Sequence, residues 1–474
     1  MIARPLVWTA GPRSPVVRVA LVVGLGLTTV LTQMPRTHAD ATPIVEQTFD
    51  NGDGRHRTVT TAGVIDADNA FFQDLGTNGR RCVTCHQSSE AWTITPAGVE
   101  QRFAVTEGLD PLFRSVDGSN CAGAVTDTVE QRREAYSLLL ARGVIRIDLE
   151  VPAGAEFAID EVDDPHGCGA PLTGVSTFRR PLPTTNLGFL STVMWDGRKT
   201  VAGHAIRDDL LAQALEATVR HAEGAPPSFS QLREIVDFEL GLFTAQLHDR
   251  RAGSLGERAA RGGPRPLARQ RFCIGINDPL GMLPEMPGAC ATAEGFDPNV
   301  FTLYDEWQRS PSPERRAIAR GEAIFNTRQF VIEDVPGLNG HAQDPVKGPL
   351  TAGTCTVCHD TPNAGNHSVS MPLNIGIADA SRRAPDVPLY TLRHLGTGET
   401  IQTTDPGRAL VTGRWNDIGK FKGPILRALA ARAPYFHDGS AATLADLIEF
   451  YDTRFELGLT AGEKADLLAF LRTL

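Results

Sequence analysis

Positive charge is what this sequence has least to spare. Lys and Arg together number 46 against 56 Asp and Glu, a formal net charge of −10 over 474 residues. Binding a phosphate backbone relies on basic patches, so nucleic acid is not an expected partner. Long apolar runs are missing beyond Leu31, so no membrane span is expected in the mature chain. Short-period repeats are missing as well. What remains, 41% hydrophobic and 22% charged residues, is ordinary globular composition. The length suffices for two or three domains.

The N-terminus reads as a removable leader. Arg4, Arg13 and Arg18 precede an apolar run from Val19 to Leu31, followed by Thr37-His38-Ala39, a small-x-small cleavage pattern. The run is shorter than the roughly 20 residues a membrane helix needs. Residues 1–39 are therefore expected to be a signal peptide, and the mature protein to be exported to the periplasm. Disulfides persist in such a compartment. Of the eight cysteines, four lie in two C-x-x-C-H units. For Cys121, Cys168, Cys273 and Cys290 the simplest pairing is Cys121–Cys168 and Cys273–Cys290, one of three that the sequence allows.

The periodicity is mostly helical. A short helix is expected from Ala70 to Leu75, and longer ones over 208–219 and 229–247, the latter with a stripe of Leu232, Ile235, Val236, Leu240 and Phe243. Alternation at Ile145–Leu149 and Ala158–Val162, with Pro152-Ala153-Gly154 between, reads as a β-hairpin. Seven arginines among Gly, Pro, Ala and Ser mark 250–271 as a linker. A helix over 314–325 carries Gly321-x-x-x-Phe325. The last helix opens at Thr460 with Glu463 three residues on, a capping box. A small residue on one of these helices and an aromatic on the other would let the two cross closely.

Cys82-Val83-Thr84-Cys85-His86 and Cys355-Thr356-Val357-Cys358-His359 carry the chemistry. Two thiols at this spacing meet the two vinyl groups of a porphyrin, and the next His reaches its iron. Two haem c groups are thus expected, with His86 and His359 as proximal metal ligands. A redox dithiol or half a zinc site could explain one such unit, but it explains two less well.

The sequence resembles the bacterial di-haem cytochrome c peroxidases and their relative, the protein-oxidising di-haem enzyme of methylamine utilisation. The resemblance rests on both C-x-x-C-H units, Met194-Trp195-Asp196-Gly197-Arg198, Phe421-Lys422-Gly423-Pro424-Ile425-Leu426-Arg427, and Ala433-Pro434-Tyr435-Phe436-His437-Asp438-Gly439-Ser440 ahead of Glu449-Phe450-Tyr451. It covers most of residues 60–250 and 312–474, with insertions near 110–180 and 250–311. It implies that peroxide reacts at the N-terminal haem, that electrons enter at the C-terminal haem, and that Trp195 relays between them. The family's Gln and Glu, ten residues apart, are matched in interval by Gln213 and Glu223, which lie later than the family pattern. His221 and His204 lie close by as further candidates, and any of the four could be the acid–base group or a displaceable sixth ligand. His437 matches a family His near the haems. Tyr451 falls where the family places the second haem's sixth ligand, with Met371 and His437 as the other candidates. The family also binds calcium between its domains through an Asn. Asn186 is the nearest here, so calcium stays open.

The expected fold is all-α: two cytochrome c-like haem domains over 40–249 and 312–474, a linker or insertion over 250–311, and a small β-hairpin insertion in the first domain. The expected function is a periplasmic di-haem peroxidase that reduces hydrogen peroxide to water. Its electrons would come from a small redox protein, a cytochrome c or a cupredoxin. Two alternatives stand beside it. One is an oxidase that stores oxidising equivalents and spends them on a protein or small molecule. The other is a two-haem electron carrier.

Overall fold

The computed structural model describes residues 46–169, 171–257, 259–281, 288–291, 295–339 and 352–474. The expected leader lies outside them. No helix among the described residues is long and apolar enough to cross a membrane.

The all-α expectation is overturned. Among the described residues 31% are helical and 17% lie in strands, so the fold is mixed α/β. One sheet runs in the order Glu46–Asn51, Gly54–Thr60, Leu242–Asp249, Gly253–Ser254. A second sets Thr400–Thr403 beside Leu389–His394 beside Phe157–Asp163. Ile145–Glu150 pairs with Gly174–Arg179. The two alternating segments of the expected hairpin are thus strands, but they do not pair with each other. Alternation shows that a segment is half-buried and extended; it does not name the partner.

The helix expected over 229–247 stops early, as Phe229–Leu240. Gly241 caps it, and Leu242–Asp249 continues as a strand antiparallel to Gly54–Thr60. Phe243 continued the helical stripe by coincidence. The segment over 208–219 is helical within Ile206–Arg220. The helix expected at Ala70–Leu75 is a 3₁₀ turn over Ala70–Phe72. The arginine-rich stretch is no bare linker either. It carries a short strand and the Pro264–Leu267 helix, and it buries Ala252, Leu255, Ala260 and Leu267.

The C-terminal helices form as expected, over Pro313–Thr327, Leu444–Arg454 and Ala461–Leu471. Gly321 sits where the first of these meets the last. A Cβ there would lie 2.0 Å from the Asp466 carbonyl oxygen and 2.7 Å from the Phe470 Cβ. Only glycine permits this approach. Two large apolar clusters result. One gathers Phe71, Trp92, Leu210, Ile235 and Leu242 around the first C-x-x-C-H unit. The other gathers Phe301, Phe325, Ile448 and Phe470 around the second.

Candidate functional site

The two C-x-x-C-H units sit in matching surroundings. Cys82–Cys85 forms one short helical turn, and Cys355–Val357 forms another. His86 Nδ1 lies 3.1 Å from the Trp92 carbonyl oxygen, and His359 Nδ1 lies 2.7 Å from that of Gly365. A carbonyl can only accept, so each Nδ1 carries the proton and each Nε2 keeps its lone pair. Burial lowers both imidazoles to about 4, the Trp92 and Gly365 carbonyls opposing it. The backbone of each loop is fixed from outside. Trp92, which holds His86, donates its indole N–H to the Thr58 hydroxyl at 2.9 Å, so the first sheet supports the loop. Gly365 adopts φ +73°, and a Cβ there would lie 2.7 Å from the Phe301 ring.

Cys82, Cys85, Cys355 and Cys358 are free thiols. The other four cysteines pair as Cys121–Cys168 and Cys273–Cys290, each with Cα atoms 5.2 Å apart. Burial pushes the Cys355 and Cys358 thiols up to about 12 and raises Cys82 and Cys85 as well. A redox dithiol needs the opposite shift. No cluster of three or more His, Cys, Asp or Glu able to hold a metal ion occurs among the described residues.

Each unit opens on a cavity, of ≈ 190 Å³ at the first and ≈ 200 Å³ at the second. The first is lined by Cys82, Cys85, His86, Gln213, His221 and Glu239. Gln213 and His221 reach it because Ile206–Arg220 turns one face inwards, with His221 as its C-cap. Glu223 does not line it. It is exposed, at φ +53°, and accepts a hydrogen bond from Asn78 at 3.0 Å. His204 is exposed and stands 3.5 Å from Asp209. The second cavity is lined by Cys355, Cys358, His359, Phe421 and Tyr451. Met371 and His437 do not line it. His437 is buried behind Phe421, their rings stacked at 4.2 Å. Of the three candidate ligands, only Tyr451 faces this space. Its phenol is raised by burial and makes no hydrogen bond among the described residues.

Trp195 lines both cavities. Its indole donates to the Arg180 carbonyl at 2.9 Å. Beside it, Asp196 is 2.5 Å from Arg179, and Arg179 is 2.7 Å from Asp405. Burial would raise the Asp196 carboxyl, but Arg179 and Arg198 hold it at about 2. The W-D-G-R segment is thus clamped by a buried ion network.

Sequence reasoning missed three cations. Arg180, Lys422 and Arg432 also line both cavities. Arg180 donates to the carbonyls of Arg142 and Ile94 at 2.7 Å each and of Arg432 at 3.2 Å. Lys422 donates to the Thr192 carbonyl at 3.2 Å, and Arg432 to that of Ile425. None pairs with a carboxylate among the described residues. Burial lowers Arg180 and Arg432 to about 10 and Lys422 to about 7. The Nε of Arg432 has no hydrogen-bond partner among the described residues. Lys422 lies inside one of the quoted motifs and Arg432 one residue before another. A charge set among apolar residues was the available signal.

No family model matches the chain. Curated relatives do. Cytochrome-c peroxidase IdrP1 of Denitromonas iodatirespirans is 32% identical over 217 residues, 40% of this chain and 50% of that protein. IdrP2 of the same organism is 29% identical over 160 residues, 31% of this chain and 42% of that protein. Cytochrome c551 peroxidase of Nitrosomonas europaea is 32% identical over 142 residues, 29% of this chain and 35% of that protein. Over these stretches the chain is similar to bacterial cytochrome c peroxidases. Its matches span half or less of the length of these relatives. Among solved structures, a MauG-like protein associated with microbial copper homeostasis covers 64% of this chain and 74% of its own at 21% identity. The TM-score is 0.34.

Cytochrome c peroxidases imply haem c, and the residues fit that group. Each cavity offers two unpaired thiols and an imidazole whose Nε2 is free to bind iron. The shared wall offers three buried cations in want of anions, and a haem carries two propionate carboxylates. Asn186, the nearest candidate for calcium, has its side chain tied to the first sheet. Its side-chain oxygen already accepts from the Thr244 N–H at 3.0 Å, and its amide donates to the Thr244 carbonyl at 2.9 Å.

Proposed function

We propose that this chain is an exported, periplasmic di-haem c peroxidase. Haem regions over 40–249 and 312–474 would each hold one haem, on Cys82, Cys85 and His86 and on Cys355, Cys358 and His359. Hydrogen peroxide, two electrons and two protons give two waters at the first cavity. The electrons enter at the second, from a small redox protein such as a cytochrome c or a cupredoxin. The single observation that carries this reading is the position of Trp195 in the walls of both cavities. An indole there shortens the gap an electron must cross.

When bound, haem supplies the iron that takes up peroxide and passes electrons. The chain's own groups do the rest. His86 and His359 are oriented by their Nδ1–H bonds to carbonyls. His221 Nε2 accepts a proton from one peroxide oxygen and returns it to the other, so that water can leave. Gln213 shares that cavity as a hydrogen-bonding group. Arg180, Lys422 and Arg432, which line both cavities, would hold the propionates.

The test is intact mass, followed by electron paramagnetic resonance and peroxide addition. Two haems that survive acid–acetone extraction, one high-spin ferric signal in at least one redox state, and steady peroxide consumption are expected. Two permanently low-spin, peroxide-inert haems would leave an electron carrier. The facing of Tyr451 into the second cavity favours one alternative, an oxidase acting on a protein or small molecule. An anionic oxygen ligand there would favour stored oxidising equivalents.

A further inference from the structure

His221 is held from two sides. Its backbone carbonyl accepts from Asn78 at 2.9 Å and from Arg80 at 3.1 Å. Its ring Nδ1 lies 2.6 Å from Asp117 Oδ2. The other oxygen of Asp117 lies 2.5 Å from Arg80 Nη1. Asp117 is 4% exposed and Arg80 3%. Arg80 spends its remaining donors on the carbonyls of Pro111 at 2.9 Å and Leu112 at 2.8 Å. The Asp117 backbone carbonyl is pinned in turn by the Arg146 N–H at 2.7 Å. Burial alone would raise the Asp117 carboxyl; Arg80 and the hydrogen bond from His221 bring it below its ordinary value. The carboxylate therefore accepts and Nδ1 donates, which leaves the lone pair of the neutral imidazole on Nε2. Nε2 makes no hydrogen bond among the described residues, and the ring lines the first cavity beside His86 and Gln213.

We infer that Asp117 is a positioning residue for proton transfer in the first cavity: anchored by Arg80, it fixes the tautomer and aim of His221, whose Nε2 is the proton acceptor. Asp117 lies in the stretch that the sequence resemblance reads as an insertion near 110–180, so this His–Asp pair is an expected departure from the pattern the chain resembles. An Asp behind an imidazole holds one tautomer and stabilises the imidazolium that forms. The proton leaves one peroxide oxygen for Nε2 and passes on to the other, so the pair ends each turnover as it began. The inference rests on the peroxidase reading in needing an open iron site in this cavity.

Two small ligands separate proton handling from mere shape. Hydrogen cyanide must lose a proton to bind oxidised haem; carbon monoxide, which binds reduced haem, has none to lose. Association of each with the full, haem-loaded protein is followed by stopped-flow absorbance. Asp117→Asn should slow cyanide by at least about tenfold and leave carbon monoxide within about twofold. Adding Asp117→Asn to His221→Ala should slow cyanide no further. Removing one charge of a buried pair strands the other, so Arg80→Gln/Asp117→Asn is measured beside the single variant and should behave alike. A cyanide rate within twofold of wild type in both variants overturns the inference. So does equal slowing of both ligands, which marks a structural role. If the wild type binds neither ligand, the open site fails and the inference falls with it; if it binds both and the variants match it, the inference alone fails.

Discussion

Tyr451 is the residue whose chemistry decides most about the second cavity. A free phenol titrates near 10, and burial here raises it further. Iron(III) would still favour the phenolate, as metals deprotonate bound thiols. Tyr451→Phe should change the spin state of the second haem and raise its potential. Paramagnetic resonance with a redox titration checks this; spectra and potential equal to wild type would return the choice to Met371 or His437. Glu239 makes a different prediction. Burial raises its carboxyl from an ordinary 4.5 to about 8. Between those values the folded protein holds a proton that the unfolded chain has lost. Stability therefore falls as pH rises through that window, by at most about 1.4 kcal/mol per pH unit. Thermal melts at pH 5 and pH 8 should show this loss in the wild type and a much smaller one in Glu239→Gln. Legibility at this scale followed spacing. Cys82, Cys85, His86, Gln213, His221, Trp195 and Tyr451 stood in recognisable patterns, and each lines a cavity. Glu223 had the right interval, but the chain turns it outwards after the helix cap. Asp117 and Arg80 had no pattern, because their partner is 104 and 141 residues away.

Single elements were read well where their signals were local. The capping box at Thr460 holds its helix, and Gly321 marks a helix crossing. Gly321→Ala puts a methyl against the Asp466 carbonyl and Phe470. The two helices must part, at a cost of about 1–3 kcal/mol for overpacking. A lower melting temperature, with haem attachment retained, is the expected outcome; an unchanged melt would mean that the crossing has room to spare. Strands were read less well, because pairing is not local. Ile145–Glu150 and Phe157–Asp163 are neighbours in sequence and take partners elsewhere. Leu242–Asp249 matched a helical period until Gly241 ended the helix and Gly54–Thr60 offered an edge.

At the scale of the whole molecule, the two cavities share a wall built from Trp195 and three buried cations. Trp195→Phe keeps the packing but loses the indole and its hydrogen bond to the Arg180 carbonyl. Electron sharing between the haems should slow while both haems stay attached, as read by the spectrum after one-electron reduction. Sharing at the wild-type rate would make Trp195 a packing residue. The mixed fold was the main thing the sequence hid at this scale: helical periods dominate the chain, while the sheets draw strands from far apart.

The strand Leu389–His394 is hydrogen-bonded to Phe157–Asp163, and Arg393 meets Asp160 across 233 residues. That seam bears on how the chain can be taken apart. Pairing between segments this distant must wait until both have been made, and loop closure over such a length slows folding. Severing the backbone within 250–311 should therefore not release two independent modules. The C-terminal fragment would be left with a bare sheet edge and the N-terminal one with an unpaired strand, both prone to stick to other chains. Produced together, the fragments would be expected to find each other and reassemble through that seam.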